Sequence, residues 1–404
     1  MATAKTINII DIGTSKITTI IAHAVNSQIN IIAITTTPAE GFRRGSIVDP
    51  EIAGQSLTRS IESAERMAGL EIKSAHIGYC DSTFESLNTQ ADISISNPHN
   101  EITPADVARI QKACRQSPLP INKEVVSLLP KKYSIDDQLD IINPVGMTGN
   151  KLHLEAHLIT ASNNSLRNLE KLFSDIGTDI DSVTHSGLAS AKSVLEHSEN
   201  ELGTCLVDIG GSLSTIVVIY ENAPVFSQVI PIGGNHLTID LAVGLRLSVP
   251  DAEKVKIELG HAYQKNRSLP PEINLGTNQI STITTINGIV RPRLEEIAKI
   301  IKQHLDSEHL QNKTPSGVVV TGGGALSPSL IDTFSQTLNT PVRLGTPRKL
   351  GGLSDETTSP IHATSVGLLL QSLPGSLPPA TSSKKHSTNN LVGRLRRLIE
   401  PLLP

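Results

Sequence analysis

The sequence contains no tryptophan, and aromatic residues make up only 2% of its 404 positions. Its core must therefore be built from Ile, Leu, Val and Ala, with apolar area burial rather than ring stacking as the driving term. Cysteine is nearly as scarce. Cys80, Cys114 and Cys205 stand too far apart for any metal or redox spacing, which excludes a disulfide scaffold and a cysteine-held zinc. A net charge of −4 excludes the strongly basic balance of a nucleic-acid binder, so no nucleic-acid partner is expected. No run of about 18 apolar residues occurs, and no bilayer-spanning helix is expected. The first residues lack a charged leader with an apolar stretch behind it; the expectation is a cytoplasmic protein.

Hydrophobic residues at 38% and charged residues at 18%, in a chain of this length, suit a globular protein of two or more lobes. The most informative stretch is Leu206–Tyr220. An apolar strand ends in Asp208, the turn Gly210-Gly211-Ser212 follows, and a second apolar run begins. Such a turn lets backbone N–H groups face an anion, and an Asp at a strand end can hold a magnesium-bound water; the same residues also serve an ordinary hairpin. The N-terminus echoes the pattern, with Ile9-Ile10-Asp11-Ile12-Gly13-Thr14-Ser15 running into the apolar Ile17–Val25. Two matching hairpins 197 residues apart (11 to 208) point to a duplicated nucleotide cradle.

In chain order, Thr6–Ile12, Ile17–Ala24 and Gln28–Thr37 read as a three-stranded meander. Pro50–Gly69 reads as a helix capped by Asp49 and stopped by Gly69, followed by a strand at Glu71–Gly78. Between 82 and 161 prolines punctuate short segments. A helix from Thr103-Pro104 to Gln116 and strands at Val125–Leu129, Lys132–Asp136 and His153–Ala161 predict an inserted α+β subdomain. Helices are expected over 163–176, 186–197 and Pro250–Gly260. Residues 261–290 show β-like alternation at Ile280, Ile283 and Ile286, and Arg291–His309 is an amphipathic helix. Gly317–Ala325 reads as a buried strand entering Gly322-Gly323-Gly324.

Asp11 and Asp208 are the candidate metal-side carboxylates, facing each other across a cleft and holding Mg²⁺ through water. Thr14, Ser15 and Lys16 supply donors for phosphates from one side; Gly210, Gly211 and Ser212 do so from the other. The turn containing Gly323 and Gly324 allows backbone to lie flat against a purine and ribose. Glu253 and Lys256 share one helix face: a surface ion pair in the open, or ligands for ribose hydroxyls beside a cleft. His185, His236 and His304 form no ligand cluster, and no G-x-S-x-G supports hydrolase chemistry.

The end of the chain changes character. Residues 374–390, rich in Pro, Ser, Thr and Lys, predict a disordered linker. Beyond it, Leu391, Val392, Leu395, Leu398, Ile399 and Leu402 fall on one helical stripe, with Arg394, Arg396 and Arg397 on the other side. That pattern suits an anionic lipid surface. Each Arg contributes about 1 kcal/mol near such a surface, so stable attachment needs several copies acting together.

Taken in order, these motifs resemble those of the actin/Hsp70/sugar-kinase superfamily. Within it the chain is similar to the FtsA family of bacterial cell-division proteins over nearly its full length. The superfamily pattern closes on Ala363-Thr364-Ser365-Val366-Gly367; the marks of the family within it are Tyr133-Ser134-Ile135-Asp136, Asn143-Pro144-Val145-Gly146-Met147-Thr148-Gly149, Gly233-Gly234-Asn235-His236-Leu237-Thr238 and Ala252-Glu253-Lys254-Val255-Lys256. The resemblance implies an α/β, actin-like two-lobed ATPase fold with four subdomains. These are 1–81 with 162–196 and 340–373; the inserted 82–161; 197–235 with 310–339; and 236–309. A linker over 374–390 and a membrane-targeting helix over 391–404 follow.

The resemblance further implies ATP and Mg²⁺ as cofactors, self-association into filaments, and tethering of FtsZ, the tubulin-like division GTPase, to the inner membrane at the septum. The FtsZ C-terminal peptide would meet residues 236–309, and later division proteins would meet 82–161. Asp11, Gly13, Thr14, Ser15 and Lys16 would hold phosphate and Mg²⁺ opposite Asp208, Gly210 and Gly211, with Glu253, Lys256, Gly323 and Gly324 around the adenosine. The usual second phosphate motif, Asp-Ile-Gly-Gly-Gly-Thr-x-Asp, here reads Ser212, Leu213 and Thr215 at its third Gly, its Thr and its closing Asp. The stretch Val183–Ala191 lacks the proline common there. Weak or absent ATP hydrolysis is the expectation. A sugar-kinase-like phosphotransferase and a pilus-assembly ATP-binding scaffold are the alternatives; neither has use for the basic amphipathic end.

Overall fold

The computed structural model describes residues 5–25, 28–264, 272–274, 280–353 and 355–373. The expected linker and terminal amphipathic helix lie outside the described residues. Two sheets with the same strand logic carry the structure.

In the first, β1 (Lys5–Ile12), β2 (Lys16–Val25) and β3 (Gln28–Pro38) form an antiparallel meander with Ile at most of its buried positions. A short ribbon, β4 (Phe42–Arg43) with β5 (Ser46–Ile47), leads to helix α1 (Pro50–Ala68). Asp49 caps that helix by accepting the Ile52 N–H, and Gly69 ends it in the left-handed region, as the sequence predicts. Strand β6 (Ser74–Tyr79) then pairs parallel to β1.

The inserted subdomain follows. Its sheet runs β7 (Glu85–Ser94), β10 (Lys151–Ser162), β8 (Lys123–Ile135), β9 (Gln138–Ile141), with α2 (Pro104–Arg115) laid across it. Thr103 and Asp106 close a reciprocal capping box at the start of α2. The two strands expected at 125–129 and 132–136 are one continuous β8. Pro130 is tolerated inside it because the register slips between Glu155 and Ala156, which opposes Pro130, and this bulge absorbs the missing N–H.

Helix α3 (Asn163–Asp175) and strand β11 (Asp179–His185) complete the first sheet on its β6 edge. The helix expected over 186–197 is two helices, α4 (Ser186–Val194) and α5 (His197–Leu202), because Leu195 and Glu196 are extended and Glu196 starts a new capped turn.

The second sheet repeats the first. Strands β12 (Thr204–Ile209), β13 (Ser214–Tyr220) and β14 (Ala223–Ile230) form the meander. Helices α6 (Gly234–Leu245) and α7 (Val249–Gln264) follow, then the ribbon β15 (Glu272–Asn274) and β16 (Ile280–Thr282), and the long α8 (Ile283–Ser307). Strand β17 (Val318–Thr321) pairs parallel to β12, and β18 (Val342–Leu344) pairs parallel to β17, with α9 (Leu330–Leu338) connecting the two. The two-residue β19 (Gly351–Gly352) returns to the edge of β3, and α10 (Ala363–Gln371) packs against α4. The sheets read β11-β6-β1-β2-β3-β19 and β14-β13-β12-β17-β18.

Two boundaries differ from expectation. Helix α7 runs through Gly260 rather than stopping there. A Cβ at Gly260 would lie 2.6 Å from Leu326 O, so this glycine serves close packing on the Gly323–Leu326 turn. Helix α8 begins at Ile283, where Thr282 accepts the Thr285 N–H. The spacing Ile283, Ile286, Val290, Leu294, Ile297 is helical, and Ile286 onward is buried.

Candidate functional site

A cavity of about 320 Å³ lies between the two sheets, lined from both. Its walls include Asp11, Gly13, Thr14, Ser15 and Lys16 from the first hairpin, and Asp208, Gly210 and Gly211 from the second. Glu253, Lys256, Gly323 and Gly324 complete it. Ser212 alone among the cleft residues expected from sequence is not part of this wall. It turns instead toward Thr14, whose Oγ1 accepts the Ser212 N–H at 2.8 Å, and toward Asn235, whose side-chain amide donates to Ser212 Oγ. Ser15 Oγ donates to Asn235 Oδ1 at 3.3 Å. The two hairpin tips are thus joined directly.

The carboxylates occupy equivalent registers: Asp11 opposes Thr18 and Asp208 opposes Thr215. Both are buried. Loss of solvation pushes the Asp11 carboxyl up to about 6, only partly offset by Lys16 and by the hydroxyl of Ser365. Burial raises Asp208 too, against hydrogen bonds from Ser190 and Thr364 and the charge of Lys16. The same burial lowers Lys16, whose Nζ donates to Ile361 O at 2.9 Å. Such a desolvated carboxylate pair, with one half-buried ammonium beside it, gains from any further positive charge placed among them.

Glu253 and Lys256 are not a solvated surface pair. Lys256 Nζ lies 2.7 Å from Glu253, with its side chain 11% exposed, and donates to Gly234 O and Thr238 Oγ1 on α6. The pair ties α7 to α6 and presents both groups at the cavity edge.

At the triple glycine, Gly322 has φ +85°, and a Cβ there would lie 2.3 Å from Asp208 Oδ1. Gly323 exposes bare backbone. The wall also holds residues that the sequence reading did not single out as ligands, among them Asn235, Thr215, Ser327 and Ile361. Thr215 Oγ1 is buried without a hydrogen-bond partner. Asn235 sits inside a motif named above; Ile361 carries no sequence signal, since it takes part through its carbonyl. Among the described residues no group of His, Cys, Asp and Glu forms a protein-only metal cage, and no helix is long and apolar enough to cross a membrane.

Comparison with known proteins agrees with this architecture. The family described as "Cell division protein FtsA" matches residues 205–367, and "SHS2 domain inserted in FTSA" matches residues 82–160. FtsA of Pseudomonas aeruginosa is 33% identical over 370 residues, covering 90% of this chain and 88% of that one. FtsA of Bacillus subtilis is 33% identical, covering 89% and 82%; FtsA of Escherichia coli K12 is 29% identical, covering 96% and 95%. Among solved structures, the PilM–PilN type IV pilus biogenesis complex superposes with a TM-score of 0.65 at 15% identity, covering 92% of this chain and 99% of that one. MreB5 of Spiroplasma citri bound to ADP superposes at 0.54 and 12% identity, covering 91% and 96%. At such identities the structures establish the shared actin-like fold and nothing more. With relatives above 30% identical across about nine-tenths of its length, the chain belongs to the FtsA family of actin-like cell-division proteins.

Proposed function

We propose that the chain binds ATP with Mg²⁺ in the interlobe cleft, assembles into filaments, and tethers FtsZ filaments to the cytoplasmic face of the inner membrane at the division septum. One observation carries the nucleotide part: a single cavity gathers both Asp-Ile-Gly hairpins, the triple-glycine turn and the Glu253–Lys256 pair. The residues fit the ligand. Asp11 and Asp208 are desolvated acceptors suited to the waters of Mg²⁺, Thr215 offers an unclaimed buried hydroxyl, and Gly323 offers bare backbone. When bound, Mg²⁺ supplies the positive charge that neutralises carboxylates and phosphates together. Lys16, with Gly13 and Gly210 at the hairpin turns, would hold phosphate oxygens; Glu253, Lys256 and Gly324 would border the adenosine.

Hydrolysis is proposed to be weak or absent. A carboxylate could take a proton from water at the position of Thr215; a threonine hydroxyl cannot at neutral pH. The division into four subdomains, with 82–161 as the insertion and 236–309 as the outer part of the second lobe, is proposed on the same motif match. In the latter, Arg293 pairs with Asp240 at 2.8 Å and with Glu296, beside the exposed Val243. This charged and apolar face supports reception of the FtsZ C-terminal peptide. Residues 82–161 are proposed to meet later division proteins, and Leu391–Leu402 with their arginines to meet anionic lipid.

Two experiments test this reading. Liposome co-sedimentation compares the full chain with one ending at Ser383; equal pelleting of both would refute the tether. Asp208→Ala is expected to weaken ATP binding in Mg²⁺ by tenfold or more, an effect of about 1.4 kcal/mol. Unchanged affinity would refute the cleft assignment.

A further inference from the structure

Both cleft carboxylates are held by one pair of packed helices. Ser365, on α10, donates to Asp11 Oδ2 at 2.9 Å. Ser190, on α4, donates to Asp208 Oδ2, while Thr364 Oγ1 stands 3.3 Å from that oxygen and 2.9 Å from Ser190 Oγ. All three hydroxyl residues are buried.

The second oxygen of each carboxylate is treated differently. Among the described residues no donor reaches Asp11 Oδ1 or Asp208 Oδ1. A glycine stands beside each. A Cβ at Gly78 would lie 3.3 Å from Asp11 Oδ1, and one at Gly322 would lie 2.3 Å from Asp208 Oδ1. Each carboxylate is therefore pinned through one oxygen and left uncovered at the other, on the wall of the same cavity.

The two anchors are mechanically one. Helices α4 and α10 meet backbone to backbone, since a Cβ at Gly367 would lie 1.8 Å from Ala189 O. Ser193 Oγ donates to Ala363 O at 2.7 Å and joins the start of α10 to α4. A shift of either helix against the other changes the separation of Asp11 from Asp208.

We propose that Ser365 and Ser190 are positioning residues of the cleft: each fixes one oxygen of a carboxylate and directs the other toward the Mg²⁺–nucleotide, and the contact between α4 and α10 makes them a single unit spanning both lobes. The inference rests on the ATP–Mg²⁺ reading above. A hydroxyl suits the task because it donates one directed hydrogen bond and carries no charge that would compete for the cation.

The test titrates a fluorescent ATP analogue into the full-length chain, once in Mg²⁺ and once in EDTA, for wild type, Ser365→Ala, Ser190→Ala, the double variant, and Ser365→Cys. The cysteine keeps the side chain's size but donates weakly, so it carries the test if the alanine variant does not fold. Each single variant is expected to bind about tenfold more weakly in Mg²⁺, the scale of a lost hydrogen bond to a charged group. In EDTA each should stay within about twofold of wild type, a span smaller than one lost hydrogen bond. The double variant should lose less than the product of the singles, since the anchors act together. Equal losses with and without Mg²⁺ would mean the hydroxyls merely support the fold and would overturn the inference; so would full retention of Mg²⁺-dependent binding. A wild-type chain whose affinity ignores Mg²⁺ would instead overturn the reading beneath it, and that result needs no variant to see.

Discussion

The two hairpins at the centre of the molecule share a register and differ in their tips. In the first, the residue opening the second strand is Lys16; 197 positions later the same place holds Leu213. Lys16 lines the cleft and brings charge to Asp11 and Asp208. Leu213 also borders the cleft, but it is buried and belongs to the core cluster of Ile10, Ile12, Ile17 and Tyr79, in the opposite lobe. One tip therefore supplies the cleft with a cation, and the other supplies the lobe contact with apolar area. The departure of Leu213 from the phosphate motif of the family acquires a physical role that the motif alone did not suggest. A duplicated hairpin can keep its backbone while dividing chemistry and packing between its copies.

Making the tips alike should break the arrangement most strongly. Leu213→Lys places an unpaired charge in the first lobe's core and should cost about 4 kcal/mol or more in urea unfolding. The family-like Leu213→Thr should cost roughly 2 kcal/mol. If both variants unfold like wild type, the tip does not pack as described.

The next effect concerns the carboxylate beside the cationic tip. Asp11 has its folded value raised to about 6 from 3.8, so the folded state holds an extra proton between those values. Stability without ligand therefore falls as pH rises from about 4 through about 6 and stays low above. Asp11→Asn should remove that penalty, on the order of 3 kcal/mol at pH 7.5, and lose its advantage near pH 4. Thermal unfolding at the two pH values measures the difference; an equal shift at both would show that burial is not the cause.

A smaller effect is expected where the tips touch. Thr14→Val removes the acceptor of the Ser212 N–H and should cost about 1 kcal/mol. Hydrogen exchange at Ser212 should quicken in step, and unaltered protection would place the joint elsewhere. The smallest effect compares the two threonines opposite the carboxylates. Thr18 Oγ1 has Thr36 as a partner at 3.4 Å, whereas Thr215 Oγ1 has none. Thr18→Val should cost about 0.5 kcal/mol and Thr215→Val should be neutral or stabilising by up to about 1 kcal/mol. The opposite order would show that Thr215 has a partner in solution.

Much of this architecture is written locally. The apolar runs ending in Asp-Ile-Gly, the cap at Asp49, the box at Thr103 and the stop at Gly69 all depend on neighbours in the chain. Such patterns are enough to set the duplicated sheets, because alternation, caps and turns act over a few residues. They are enough to set the family too, since the motifs that carry the resemblance are short runs read in order along the chain. What failed locally failed for tertiary reasons. Pro130 stays inside a strand because its own strand bulges beside it, at Lys131, against β10. Gly260 continues a helix because a distant turn presses on it. Lys256 leaves the surface because α6 closes over it.

Ser190 and Ser365 stand in stretches quoted above for the resemblance, but nothing beside them in the sequence assigns their hydroxyls a partner. Helix α4 begins at Ser186 and α10 at Ala363, and only the packed fold brings their backbones together at Gly367 and Ala189. Ser365 and the carboxylate it holds, Asp11, are 354 residues apart in the chain. A hydrogen bond of that kind depends on burial and on the meeting of distant helices, and neither is encoded by the residues beside it in sequence.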